Sequence, residues 1–159
     1  MKAVVVYDSF FGNTEQIARA IGDALGPSED VSVLRVGDVK PGQIAGLDLL
    51  IVGSPTRAFS ASPDTKAWLK KLGSASLKGI KVAGFDTRVD VKEVDSRVLP
   101  VFVRMFGYAA EPISEILTKK GGVQAAPPEG FIVLDKEGPL KDGELERAAA
   151  WARQVASSV

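Results

Sequence analysis

Cysteine and histidine are both absent from the chain. Without thiols there can be no disulfide, zinc–thiolate site, iron–sulfur cluster or redox-active cysteine. Without imidazole the usual general base and the commonest transition-metal ligand are missing. Ser-His-Asp and Cys-His catalysis cannot be assembled, so redox or group-transfer chemistry would have to come from a bound cofactor. There is also no excess charge of either sign, because Lys+Arg and Asp+Glu both number 20. A nucleic-acid binder needs a basic surplus to neutralise phosphates, and a polybasic membrane anchor needs one too. No apolar run is long enough to span a bilayer, and the one at Val4-Val5-Val6-Tyr7 is too short for a signal peptide. The expectation is a cytoplasmic protein without nucleic-acid or membrane partners.

What is present suits one domain over residues 1–159, with 45% hydrophobic residues to build its core. Short β-branched runs alternate with helical patterns. Strands are expected at Val4–Tyr7, Val31–Val36, Leu49–Gly53, Ile80–Phe85 and Phe131–Leu134. A helix over Thr14–Leu25 turns Ile17, Ala20, Ile21, Ala24 and Leu25 to one face and stops at Gly26-Pro27. A short helical turn falls near Pro41 to Gly46. Ser62-Pro63 caps a helix that carries Trp68, Leu69 and Leu72. Further helices include Ala110–Lys120 and Glu144–Ala156. Between them Val98–Phe106 is apolar but interrupted by Pro100, and reads either as core or as a lid over a ligand. Gln124 to Pro128 reads as a loop.

Near-continuous apolar strands alternating with helices imply a parallel sheet covered on both faces. The expected fold class is α/β, a doubly wound five-stranded parallel sheet of order 2-1-3-4-5. Ligands of such sheets bind where the strand order reverses, beyond the C-terminal ends of strands 1, 3 and 4.

The loop after strand 1 runs Asp8-Ser9-Phe10-Phe11-Gly12-Asn13-Thr14 directly into a helix. Free amides at a helix start, the close approach Gly12 allows, and the Ser9 and Thr14 hydroxyls together suit a phosphate. A polar turn with Asn13 as the helix cap is the plainer reading. No G-x-x-x-x-G-K-S/T loop and no G-x-G-x-x-G follows strand 1, which disfavours nucleotide triphosphatases and dinucleotide-binding sites. The loop after strand 3 is Ser54-Pro55-Thr56-Arg57-Ala58-Phe59, and that after strand 4 begins Asp86-Thr87-Arg88-Val89.

Ser9-Phe10-Phe11-Gly12-Asn13-Thr14 resembles the flavodoxin phosphate loop, Ser/Thr-x-Thr-Gly-x-Thr, with Phe11 where the pattern has threonine. An aromatic there, and the segment Ser54-Pro55-Thr56-Arg57, are similar to the flavodoxin-like NAD(P)H:quinone reductases. Flavodoxins are themselves an instance of the switch-point rule above. The resemblance implies a flavodoxin-like fold and non-covalent flavin mononucleotide (FMN). It implies that Ser9, Phe10, Phe11, Gly12, Asn13 and Thr14 meet the phosphate, and that Ser54, Pro55, Thr56, Arg57, Ala58 and Phe59 border the ring. Asp86, Thr87 and Arg88 would reach its pyrimidine edge, with Val89 in place of the usual stacking tyrosine.

Two departures bear on use of the flavin. The chain is neutral where typical flavodoxins are acidic, with Arg57 and Arg88 near the expected ring site. From Ser54 to Ser62 there is no glycine, the residue whose peptide commonly flips in flavodoxins as the flavin changes redox state. An electron carrier serving a redox partner protein leads; an NAD(P)H-dependent quinone reductase and a flavin-free binding domain remain open, as does the oligomeric state.

Overall fold

In the computed structural model, residues 1–90 and 107–159 are described; the Val98–Phe106 segment lies outside them. The strands are β1 (Ala3–Tyr7), β2 (Val31–Arg35), β3 (Leu49–Pro55), β4 (Lys81–Val89), β5 (Val123–Gln124) and β6 (Glu129–Val133). The α-helices are α1 (Asn13–Leu25), α2 (Pro63–Lys71), α3 (Ala110–Lys119) and α4 (Glu144–Ala156), with short 3-10 turns at Val36–Asp38 and Pro41–Gln43. All strand pairs are parallel, in the order β2-β1-β3-β4-β5, and β6 also pairs with β4.

Alternation within the central strands divides the core. Val5 and Tyr7 of β1, Leu49 and Ile51 of β3 and Phe85 of β4 pack under α1 and α4. Val4, Val6, Leu50, Val52 and Val82 face the other way, toward Leu69 of α2 and Ile113 and Leu117 of α3. Both faces of each strand are thus apolar, as a sheet covered on both sides demands. Trp68 is partly buried and packs against this second cluster.

Three differences from the expected elements matter. First, the fifth position of the sheet is filled by two segments. β5 pairs with the start of β4 (Lys81↔Val123) and β6 with its end (Phe85↔Glu129 to Val89↔Val133). Val123 and Gln124 are therefore strand residues, and the loop is shorter than expected. Ala126, which follows them, is buried in the α1/α4 cluster, and two prolines, Pro127 and Pro128, interrupt the ladder where their missing N–H groups cannot donate.

Second, β4 continues four residues beyond its apolar run, so Asp86, Thr87 and Arg88 lie in the sheet rather than in a loop. Ser54 and Pro55 pair with Asp86 and Thr87 on one side, and Gly130 to Ile132 pair with Asp86 to Arg88 on the other. The main chain of these residues is engaged in the ladder and does not form a free edge of donors. Third, β3 runs to Pro55, two residues past its expected end, and extends the sheet under the site alongside β4.

The end of the sheet beneath the site is packed without slack. Phe85, Phe131 and Trp151 form a three-ring cluster of edge-to-face contacts with centroids 6.1–6.3 Å apart. Gly53 lies beside it; a Cβ there would fall 2.0 Å from Phe85 Cζ. Gly53→Ala is expected to cost about 1–3 kcal/mol by overpacking, read as a lower urea midpoint at unchanged slope.

α4 is bound to β6 by Glu144, which is buried. Its Oε2 accepts from the Ile132 amide at 2.6 Å and from Arg147 Nη2 at 2.7 Å. Burial alone would raise this carboxyl, but the Arg147 guanidinium and the Ile132 amide hold it below its ordinary value of 4.5. The unfolded chain then binds more protons as the pH falls, so this contribution is complete above about 4.5 and lost as the pH drops through the folded value. Glu144→Gln is expected to lower stability at neutral pH by about 1–3 kcal/mol and to flatten the acid limb of a stability-against-pH curve.

Candidate functional site

A cavity of about 300 Å³ opens beyond the C-terminal ends of β1, β3, β4 and β6. Of the residues expected from the sequence, Ser9, Phe10, Phe11, Asn13, Thr14, Pro55, Thr56, Arg57, Ala58, Thr87 and Arg88 line it. Val89, named above in place of a stacking tyrosine, also lines it; Gly12, Ser54, Phe59 and Asp86 are not among its lining residues, whereas Val133 and Lys136 are.

The phosphate-loop region is built around a helix start with no side-chain cap. Gly12 takes the N-cap position of α1 with φ +91°, a left-handed conformation that glycine adopts without strain. Asn13 is thus the first helical residue rather than the cap. The amides of Asn13, Thr14 and Glu15 belong to the turn that a helix leaves without internal partners, and Gly12 at the N-cap supplies no side chain to cap them. Ser9 Oγ accepts from the Gly12 amide at 3.0 Å, which folds the loop back and leaves the hydroxyl hydrogen free to donate elsewhere. Thr14 Oγ1 is 2.7 Å from Thr87 Oγ1, tying α1 to β4 under the cavity.

The side chain of Asn13 turns to the last loop instead. Its Nδ2 donates to the Glu137 carbonyl at 3.0 Å. Glycine at 138, with φ +109°, permits this approach, since a Cβ would sit 2.7 Å from Asn13 Oδ1.

The loop after β3 ends its strand and reverses in a two-residue hairpin. Arg57 N donates to Ser60 O at 2.9 Å and Ser60 N to Arg57 O at 3.0 Å. The two central residues, Ala58 (φ 47°) and Phe59 (φ 65°), are both left-handed. Such a turn normally takes Asn-Gly or Gly-Gly, and L residues hold it at a cost of about 1–2 kcal/mol each. Phe59 is half-buried. Ser54 serves the frame: buried, it accepts from the Ser62 amide at 2.9 Å. Thr56 Oγ1 accepts from the Ala109 amide at 3.0 Å and joins this loop to the start of α3. At the mouth, Arg57 lies over the rings of Phe10 (4.9 Å) and Phe11 (5.6 Å). These rings are 49% and 46% exposed, unusually open for phenylalanine.

On the remaining side, Asp86 is fully buried. Its two oxygens meet Arg88 Nε and Nη2 at 2.7 Å each, and Oδ2 also accepts from the Ala110 amide at the start of α3. Burial pushes the Asp86 carboxyl above its ordinary value, with the Arg88 guanidinium and the Ala110 amide pulling the other way. The guanidinium stacks on the Tyr108 ring at 3.7 Å. Arg88 therefore lines the cavity as a neutralised, fixed plane. The sequence held no sign of this arrangement, because Tyr108 is twenty residues away. Lys136 was detectable in principle: a turn following the last parallel strand necessarily opens at the same end of the sheet as the others.

An open helix start, two hydroxyls and a neighbouring cation lie beside apolar and flat groups at the switch point of a doubly wound sheet, a set of groups with the chemistry to hold a phosphorylated planar ligand. The chain belongs to the flavodoxin family, whose model, described as Flavodoxin, matches residues 5–151. FMN is the cofactor of that family and electron transfer its work. A flavodoxin of Clostridium saccharobutylicum is 22% identical over 162 residues, covering 100% of this chain and 98% of its own. In fold the chain is similar to a flavodoxin from the domain Archaea, with TM-score 0.75 and 23% identity over 99% of this chain and 97% of the other. It is also similar to oxidised Flavodoxin 1 of Bacillus cereus, with TM-score 0.78 and 18% identity over 100% and 99%.

Asp86→Asn is expected to cost about 3–5 kcal/mol, because it leaves the Arg88 charge largely buried without its partner. Replacing Asp86 and Arg88 together by an apolar pair should recover part of that loss in denaturant titrations.

Proposed function

We propose that this chain is an FMN-dependent electron carrier that acts as one unit over residues 1–159 in the cytoplasm and exchanges electrons with a partner protein. The observation that carries the reading is the uncapped start of α1, with Ser9 and Thr14 beside it, opening into the cavity at the sheet's switch point.

The residues present fit the cofactor. Amides of the first turn of α1 and the Ser9 hydroxyl would hold the phosphate, helped by the helix dipole. Pro55, Thr56, Arg57, Ala58 and Val89 would border the ring system, and the Arg88–Tyr108 stack would give one wall a rigid, flat surface. When bound, FMN supplies reversible one- or two-electron transfer. The protein's own part is to bind, orient and set the field. Arg57 and Lys136 at the cavity favour added negative charge there. With Asp86 already paired to Arg88, no uncompensated carboxylate side chain among the described residues lines the cavity.

Phe10, Phe11 and Arg57 suit contact with the partner. Exposed aromatic and arginine side chains of this kind concentrate binding energy in protein interfaces. No helix among the described residues is long and apolar enough to cross a membrane, and nothing in the reading requires one.

The test is titration of the full chain with FMN. Uptake of one equivalent, with quenched flavin fluorescence and a protein-bound visible spectrum, is expected; failure to bind refutes the proposal. Anaerobic addition of NADH and a quinone should neither bleach the bound flavin nor produce turnover. Rapid bleaching would instead make the chain a reductase.

A further inference from the structure

The residues expected from the sequence to form the site include no lysine, yet the folded cavity includes one. Lys136 lines it together with Ser9, Asn13 and Thr14. Its ammonium forms no ion pair among the described residues. The other cations at the cavity are placed differently. Arg88 is chelated by Asp86, and Arg57 lies over Phe10 and Phe11 at the mouth.

The turn that presents Lys136 is fixed at several points. Leu134 N donates to Pro139 O and Gly138 N to Asp135 O, both at 2.9 Å. The Lys136 amide donates to Asp135 Oδ1 at 2.7 Å. Asn13 Nδ2 holds the Glu137 carbonyl, and Gly138 packs against that same side chain. The residue that opens α1 thereby clamps the turn carrying the lysine. The open helix start and the cation form two jaws of one enclosure, drawn from opposite ends of the chain.

We propose that Lys136 is the charge partner of the phosphate and makes the site selective for the phosphate ester over its uncharged alcohol. This rests on the FMN reading above and adds a discriminating residue to it. Amides and hydroxyls alone give the ester directional hydrogen bonds, whereas an ammonium adds a Coulombic attraction that only the ester feels and that salt weakens.

The test is equilibrium titration of the full chain and its variants with FMN, riboflavin and inorganic phosphate. Lys136→Gln should weaken FMN binding about five- to tenfold at low ionic strength, while changing riboflavin binding less than about twofold. Lys136→Arg should keep most of the discrimination. Binding of FMN to the unaltered chain should fall with added salt more steeply than binding to the Gln variant. Inorganic phosphate should compete with FMN less well on that variant. Asn13→Ala, which frees the turn, should reproduce part of the loss. Lys136 is exposed, so the thermal unfolding midpoint of Lys136→Gln should match that of the parent. If the Gln variant weakens both flavins equally, or leaves FMN affinity and its salt dependence unchanged, Lys136 has no such role and the FMN reading stands. If the unaltered chain takes up no FMN, both proposals fall.

Discussion

Everything at the site follows from how α1 begins. A helix start normally finds its own side-chain cap, and here none is provided. Gly12 turns left-handed, Ser9 accepts the Gly12 amide, and Asn13 and Thr14 of the uncapped first turn line the cavity. The position matters as much as the lack of a cap. α1 follows β1, the strand from which the sheet grows in both directions, so β3 delivers its loop to the same place. Unsatisfied donors at the surface of a protein are ordinary. Unsatisfied donors at the rim of a cavity, on a helix whose other face is locked into the core by Ile17 and Ile21, are a fixed electrostatic feature that an anion can use without rearranging anything.

The surrounding frame keeps that feature rigid. Thr14 bonds Thr87, Thr56 holds the Ala109 amide, and Asp86 spans Arg88 and the start of α3. The first joins α1 to β4, and the other two tie the ends of β3 and β4 to the start of α3. The Ser54 hydroxyl and the Asp86 carboxylate both serve this bracing. Their burial requires it, because a hydroxyl or a carboxylate inside the fold must find partners.

The architecture was legible because the central strands are plain. Val4 to Tyr7 and Leu49 to Val52 are unbroken apolar runs bounded by turn residues, and α1 and α4 carry clear apolar stripes. The strand order and the first two loops followed from these. Local pattern was silent where pairing, rather than composition, makes the structure. Asp86-Thr87-Arg88 is polar, yet it is a strand because β3 and β6 extend alongside it. Val123-Gln124 is too short to register, and becomes a strand only against β4. The Asn13 side chain could be read as a cap until the fold brought Glu137, more than a hundred residues later, within reach. Lys136 was hidden for the same reason. Its position after the last strand was open to inference, but its neighbours were not.

The hairpin at Arg57 to Ser60 carries a consequence for how the site responds to a change of charge. Two reciprocal hydrogen bonds close it, and two residues with side chains already occupy the backbone region that glycine usually visits. Inverting a peptide here would break those bonds and move a phenyl group with it. A loop so committed holds one backbone path, and in the proposed carrier a change of charge beside it would be met by polarisation of fixed groups rather than by inversion of a peptide.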